Sequence, residues 1–319
     1  MSGGALRIRA RWRSGRIDAL QVQLERPPVA RLLPGRTPRE VLAAVPLLHA
    51  LCREAQGAAA AAALAAASGQ PAPVPRHRAL WQEILHEHLW RLLLDWPPAL
   101  GLEAPRDAFA RWHRRHQAAS DLGAAARELF ETGLGLDPEH GQLHPDGLTA
   151  RCLAALGQAP EMPGSGDASL PDPAAWLSGS PDPASFLDEG SADDGAIATP
   201  PGPGLAYARR LAGAWLAWKA LAADRPYPVR AAGRDGRGLG LAWTARGLLL
   251  HDVRLEADGR VADYRIQAPT DRLFATAAPL ARQLQAQPSA DAAGARRSLE
   301  RAVLALDPCV PWQIDWTEN

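Results

Sequence analysis

The chain has 319 residues, 47% of them hydrophobic, and its 35 acidic and 35 basic side chains cancel to a formal net charge of zero. That length suits one large domain or two ordinary ones, and the apolar share suffices for a real core. Zero net charge excludes a general grip on nucleic acid, which needs excess positive charge facing phosphates. No stretch approaches the ~18 apolar residues of a membrane span, so no membrane partner is expected; the Ala run at 58–67 is too short and too weakly hydrophobic. Residues 1–20 alternate Arg with apolar residues and lack a continuous apolar region, so no signal peptide is expected. Three cysteines do not make a disulfide framework. A soluble cytoplasmic protein with reduced thiols is the expectation.

Along the chain, Ala5 to Glu25 alternates through Leu6, Ile8, Leu20, Val22 and Leu24, with Ser14-Gly15 between, and predicts a β-hairpin. Thr37 is placed as a helix N-cap, with Pro38 in the first helical position and Glu40 completing a capping box. Pro46 should kink or restart that helix. It is expected to continue through Cys52 and the Ala run to about Ser68, with Gly69 as the stop. A second helix is predicted over Arg76–Trp96, closed by Pro97-Pro98, and a third over Asp107–Thr132, ended by Gly133. Leu148–Leu156 predicts a shorter one. Residues 159–204 are rich in Pro, Gly, Ser and Asp and are expected to form a long flexible loop. A helix over 205–223 follows. Leu239–Ile266 reads as strands, with Asp258-Gly259 a hairpin turn. Ala292–Leu306 is helical and leads into Asp307-Pro308-Cys309. The expected organisation is 1–158, a hairpin and helical part carrying Cys52; 159–204, the loop; and 205–319, carrying Cys309. The outer parts are expected to intertwine as one domain.

Several features favour packing over chemistry. His86 and His88 are two apart and face different sides of a helix. His113 and His116 lie among arginines, where a solvated face is the default. Gly236-x-Gly238-x-Gly240 precedes a strand instead of joining strand to helix, which argues against a dinucleotide loop. Cys152 reads as a small core residue. Trp312 and Trp316 suit either partner anchors or ordinary packing.

Four segments carry a different signal. They are Arg31-Leu-Leu-Pro-Gly-Arg36-Thr-Pro-Arg-Glu40; His49-Ala-Leu-Cys52-Arg-Glu-Ala-Gln56; Ala245-Arg246-Gly247-Leu-Leu-Leu-His251 with Ala268-Pro269-Thr270 beyond it; and Asp307-Pro308-Cys309 with Trp312 and Asp315 after it. In type and order these resemble the metal-ligand segments of the nickel-iron hydrogenase large subunit. Glu83-Ile-Leu-His-Glu-His-Leu-Trp-Arg-Leu-Leu-Leu-Asp-Trp-Pro97 resembles instead the HupK/HoxV-type hydrogenase assembly proteins, relatives of that subunit. The enzymes carry Cys-x-x-Cys-x-x-x-His in the second segment, where this chain has His49, Cys52 and Gln56. They end in Asp-Pro-Cys-x-x-Cys-x-x-His, where this chain has Cys309, Trp312 and Asp315. Spacings of three and four would put His49, Cys52 and Gln56 on one helix face.

The resemblance implies an α+β fold with a mainly helical bundle core and peripheral β-hairpins. It also implies that half the ligands of nickel are lost, and with them nickel itself, since soft thiolates hold that metal. The retained pattern is similar to the HupK/HoxV-type hydrogenase assembly proteins. That group's implied role is to carry a Fe(CN)2CO unit from the HypC/HypD maturation complex to the hydrogenase large subunit or its precursor, as a scaffold without catalysis of its own. On that basis Cys52 and Cys309 would be the iron ligands and His49 an auxiliary, with Arg246, Pro269 and Thr270 contacting the cyanides. A divergent working hydrogenase would need four thiolates where two survive. A metal-free chaperone would need none.

Overall fold

The computed structural model describes residues 4–49, 51–117, 122–158, 202–285 and 289–318. Most of the anticipated 159–204 loop therefore lies outside the described residues. The alternating N-terminal segment forms antiparallel strands β1 (Ala5–Arg13) and β2 (Arg16–Glu25). Ser14 and Gly15 turn between them with φ of 51° and 78°. Positive φ at both central residues matches the turn twist to the strand twist. Strand β9 (Trp312–Glu318) pairs in parallel with the other side of β1, giving the order β2-β1-β9. Leu6 and Ile8 of this sheet pack on Leu299, Ala302, Val303 and Leu306 of a C-terminal helix, with Trp312 and Trp316 packed against the same cluster.

Helix α1 (Pro38–Leu48) starts on the expected capping box, with Thr37 and Glu40 bonded reciprocally. It does not run on through Cys52. Pro46 offers no N–H to the helix, α1 stops at Leu48, and His49 leaves helical geometry at φ −130° and ψ 74°. Helix α2 (Arg53–Ala67) begins afresh with Cys52 as its N-cap. His49 and Cys52 thus flank a break, and the shared helix face expected for His49, Cys52 and Gln56 does not exist.

Helix α2 lies on an antiparallel sheet of order β5 (Val229–Arg234), β6 (Arg237–Thr244), β7 (Gly247–Leu255) and β8 (Val261–Gln267). The contact is backbone to backbone. A Cβ on Gly233, Gly238 or Gly240 would stand 1.9, 2.0 or 2.1 Å from the carbonyl oxygens of Ala66, Ala63 and Ala59. Gly238 and Gly240 are two apart and face one side of β6, while Ala59, Ala63 and Ala66 line one side of α2. The glycine motif and the alanine run are therefore two halves of one interface. One half lacks side chains and the other carries only methyl groups, so that helix and sheet can touch.

The remaining helices are α3 (His77–Trp90), α4 (Trp96–Ala99), α5 (Arg106–Gln117), α6 (Leu122–Glu128), α7 (Leu148–Ala155) and α8 (Pro203–Ala222). Beyond the sheet come α9 (Pro269–Leu273), α10 (Ala278–Gln285) and α11 (Ala292–Leu306). The helix expected over Arg76–Trp96 contains a wide turn at Arg91–Asp95, and Pro97-Pro98 open α4 instead of ending a helix. A short ladder joins β3 (Leu136–Asp137) to β4 (Gln142–Leu143). Leu85, Leu89, Trp96, Phe130, Cys152, Tyr207 and Leu211 share one core with Ala242 and Leu249 of the sheet. The fold is mixed α+β, as expected. Its four-stranded sheet is a structural layer under α2, not a peripheral hairpin on a helical bundle. Among the described residues no helix is long and apolar enough to cross a membrane.

His113 and His116 turn inward, contrary to expectation. The His86 ring stacks on His116 at 4.3 Å and 2° and lies 5.2 Å from His113, while Trp112 Nε1 donates to His86 Nδ1 at 3.1 Å. Burial first, then His116 and His113, pull His86 from its ordinary 6.5 down to about 3. The folded state then binds fewer protons than the unfolded state, so this group supports stability above the unfolded value and loses it below. The urea midpoint should fall as pH drops from about 6.5 toward about 3. It should fall less steeply in His86→Phe, and an equal slope would assign the acid lability to other groups.

Candidate functional site

Helix α3 presents Glu83 and Glu87 on successive turns, and the chain continues to Arg91 at the same spacing. Glu83 accepts from the N–H groups of Glu54 and Ala55, at 2.7 and 3.1 Å, in the first turn of α2. It thereby caps α2 from outside, where Cys52 makes no side-chain cap bond of its own. Burial pushes Glu83 up to about 8 despite those two donors. Glu87 accepts from Arg246 at 2.8 Å. Arg91 donates to Asp307 at 2.7 Å and to the Pro308 carbonyl at 2.8 Å. One helix face thus touches the Cys52 segment, the Arg246 segment and the Cys309 segment.

Asp307 gathers the charges. Its carboxylate is 6% exposed and meets Arg91, Arg210 and Arg246. Burial opposes its ionisation, but the three guanidiniums outweigh burial and hold it below the usual carboxylate range. Its backbone closes α11 at φ 49°, in the left-handed region that few residues other than glycine adopt. That turn aims Pro308-Cys309 back toward the sheet. Arg246 lies in the β6–β7 turn, where its N–H donates to Thr244 Oγ1 at 3.2 Å. Its guanidinium is 4% exposed. Burial disfavours its charge, but Asp307 and Glu87 more than compensate and keep it protonated.

Cys309 is held on two sides. Its N–H donates to Thr270 Oγ1 at 3.1 Å, and its sulfur accepts from Arg26, which also donates to Asp271 at 2.6 Å. Pro269, one residue before Thr270, lies beside Gly247, where a Cβ would stand 3.5 Å from its Cγ. Cys52 is within electrostatic reach of Cys309, Glu83 and Arg246. Burial pushes its thiol up to about 12; Glu83 and Cys309 add to the rise, and Arg246 and Gln56 oppose it. His49 has a buried Nε2 without a hydrogen-bond partner. Burial and then Arg26 draw it down to about 4, which leaves a neutral imidazole at physiological pH.

Cys309 thus meets Thr270 directly, Cys52 lies within electrostatic reach of Cys309 and Arg246, Pro269 lies beside Gly247, and His49 is within reach of Arg26. Arg26, Glu83, Glu87, Arg91 and Arg210 are further members that motif reasoning missed. A signal for three of them exists. Charges at Glu83, Glu87 and Arg91 recur every four residues among Leu80, Ile84, Leu85, Leu89 and Leu92, and ionised groups in an apolar helix need buried partners. Nothing local singles out Arg26 among so many arginines.

The donor set is sparse. Among the described residues no group of three or more His, Cys, Asp or Glu is arranged to hold a metal ion. Two thiols do not complete the four-ligand shell of a bare soft metal ion. They fit a metal that brings ligands of its own, and two guanidiniums beside them suit ligands that are anionic.

No family model matches the chain. It is 35% identical over 346 residues to the hydrogenase expression/formation protein HupK of Azotobacter vinelandii, covering 98% of each chain. Identity is 33% over 352 residues to HupV of Azotobacter chroococcum mcd 1, again covering 98% of each, and 30% over 378 residues to HoxV of Cupriavidus necator, covering 99% of this chain and 97% of that one. Both carry the same hydrogenase expression/formation description. Among solved structures, a chain of an NAD+-reducing [NiFe]-hydrogenase superposes with a TM-score of 0.53 at 17% identity, covering 92% of this chain and 93% of that one. A chain of the reduced Ni-Fe-Se hydrogenase from D. vulgaris Hildenborough gives 0.53 at 15%, covering 93% and 94%. At such identities the likeness carries the fold alone.

Proposed function

The chain belongs to the HupK/HoxV family of hydrogenase expression/formation proteins, and from that premise we propose that it carries the iron unit of a nickel-iron centre during assembly. Cys52 and Cys309 bind iron through sulfur, each giving up its proton as the metal enters. The iron arrives already bearing carbonyl and cyanide, as Fe(CN)2CO, from proteins of the HypC/HypD type. It leaves for the hydrogenase large subunit or its precursor. Arg246, with the Pro269-Thr270 turn, faces the cyanides, and Arg26 supplies a second guanidinium beside Cys309. His49 is an auxiliary donor through its unpartnered Nε2.

The observation that carries this reading is that Cys52 and Cys309, from distant parts of the chain, lie within electrostatic reach of each other and of Arg246 and Arg26, with Arg26 donating to the Cys309 sulfur. Such a set is too poor for nickel and adequate for an iron that is already partly coordinated. Burial raises the Cys52 thiol, so a proton competes with iron for that sulfur. A carrier must also let go.

The test is infrared spectroscopy on protein purified together with its maturation partners. Iron-bound carbonyl and cyanide stretches are expected in the wild type and not in Cys52→Ala or Cys309→Ala. Hydrogenase maturation should fail in both variants, with the circular dichroism spectrum unchanged. Maturation that survives the double replacement would sink the carrier and favour a metal-free chaperone. Bound nickel with hydrogen uptake would favour a working enzyme.

A further inference from the structure

Three buried side chains behind Cys52 form a chain of hydrogen bonds that ends on its sulfur. Tyr264 Oη lies 2.8 Å from His251 Nδ1. His251 Nε2 lies 2.8 Å from Gln56 Oε1. Gln56 Nε2 lies 3.7 Å from Cys52 Sγ. His251 is 0% exposed, Gln56 1% and Tyr264 4%. The three come from β7, α2 and β8, so the arrangement is built by the packing of α2 on the sheet.

The direction of the chain follows from the chemistry of its members. An amide oxygen only accepts, so His251 must carry its proton on Nε2 to donate to Gln56. A neutral imidazole has one N–H, so Nδ1 is left as an acceptor. Burial, and then His49, draw His251 down to about 3, so it remains neutral. Tyr264 must therefore donate its hydroxyl proton to Nδ1. Gln56, with its oxygen engaged, presents its N–H to sulfur. With the Gln56 amide oxygen toward His251, every bond points the same way, and the other His251 tautomer breaks the chain.

We propose that Tyr264, His251 and Gln56 act as a one-way donor relay that positions Cys52 and weakens the hold of its sulfur on a bound metal. A donor to a ligating sulfur draws electron density away from the metal, and hydrogen bonds of this outer kind tune sulfur-ligated iron. Linked hydrogen bonds polarise one another, so the tyrosine is felt at the sulfur three hydrogen bonds away. This rests on the iron-carrier reading.

The probes are Gln56→Leu, which removes the donor at sulfur, and Tyr264→Phe, which removes only the distant hydroxyl and keeps the ring. In loaded protein, electron density returns to iron and increases back-donation into carbon monoxide. The carbonyl and cyanide stretches should move to lower wavenumber in both variants, further in Gln56→Leu, with iron content retained. Bands that coincide with the wild type in Tyr264→Phe overturn the relay, even if Gln56→Leu does not fold. Should wild-type protein show no such bands, the carrier reading fails by itself, and the relay is judged on free protein. There, nitrogen-15 NMR should find His251 protonated on Nε2 and accepting on Nδ1, with the Nδ1 signal altered in Tyr264→Phe. A proton on Nδ1 overturns the proposal.

Discussion

Replacing Asp307 by Ala should destabilise the protein by about 3–5 kcal/mol, the usual range for removing one partner of a buried ion pair. The effect comes less from attraction lost than from charge left behind. Arg91 keeps Asp95 and Arg246 keeps Glu87, but Arg210 loses its carboxylate and faces only neutral His88. A guanidinium is ionised at any accessible pH, so Arg210 cannot escape by losing its proton. Asp307→Asn keeps the volume and some hydrogen bonds and should cost less than Ala, while still leaving excess positive charge. Urea unfolding followed by circular dichroism measures both. A loss under about 1 kcal/mol for Ala, the range of an exposed pair, would mean that water reaches the cluster.

Gly240→Ala should be comparably severe, at about 3 kcal/mol, the upper part of the overpacking range. The new methyl would lie 2.1 Å from the Ala59 oxygen and 2.6 Å from the Ala63 nitrogen, both backbone atoms with no rotamer to change. Helix α2 would have to rise off the sheet. That movement shifts Cys52, at its N-cap, away from Arg246, at the β6–β7 turn, so the proposed iron capture should fail even in the fraction that folds. The contrasting change is Gly57→Ala on the same helix. There the methyl meets only Pro46 Cγ at 3.4 Å, and alanine favours a helix over glycine by roughly 0.5–1 kcal/mol. Equal melting temperatures for Gly57→Ala and Gly240→Ala would refute the backbone contact.

Local signals were legible wherever a few neighbouring residues decide the structure. Thr37, Pro38 and Glu40 specify a helix start, and Ser14-Gly15 between alternating strands specifies a turn. Where the outcome depends on distant packing, the sequence misled. Cys52 lies in a run of good helix formers, so a continuous helix was the natural reading; the break needed Pro46 before it and Glu83, from another helix, to cap the restart. His113 and His116 looked solvated beside their arginines, because nothing local announces His86 across the interface. Gly238 and Gly240 carry no periodicity of their own, and they make sense only against the alanines of α2. Cysteine and arginine motifs marked Cys52, Arg246 and Cys309, with Pro269-Thr270 beside them. Glu83 and Glu87, which hold the start of α2 and Arg246, came into view as partners only with the fold.

The parallel pairing of β9 with β1 has a consequence for biosynthesis. Among the described residues β1 is the first strand to leave the ribosome, and its neighbour β9 is the last. Cys309 lies just before β9, so its segment can dock only after every other described strand has been synthesised. On the carrier proposal, both thiols face their cargo only after this last pairing of β9 with β1 has formed.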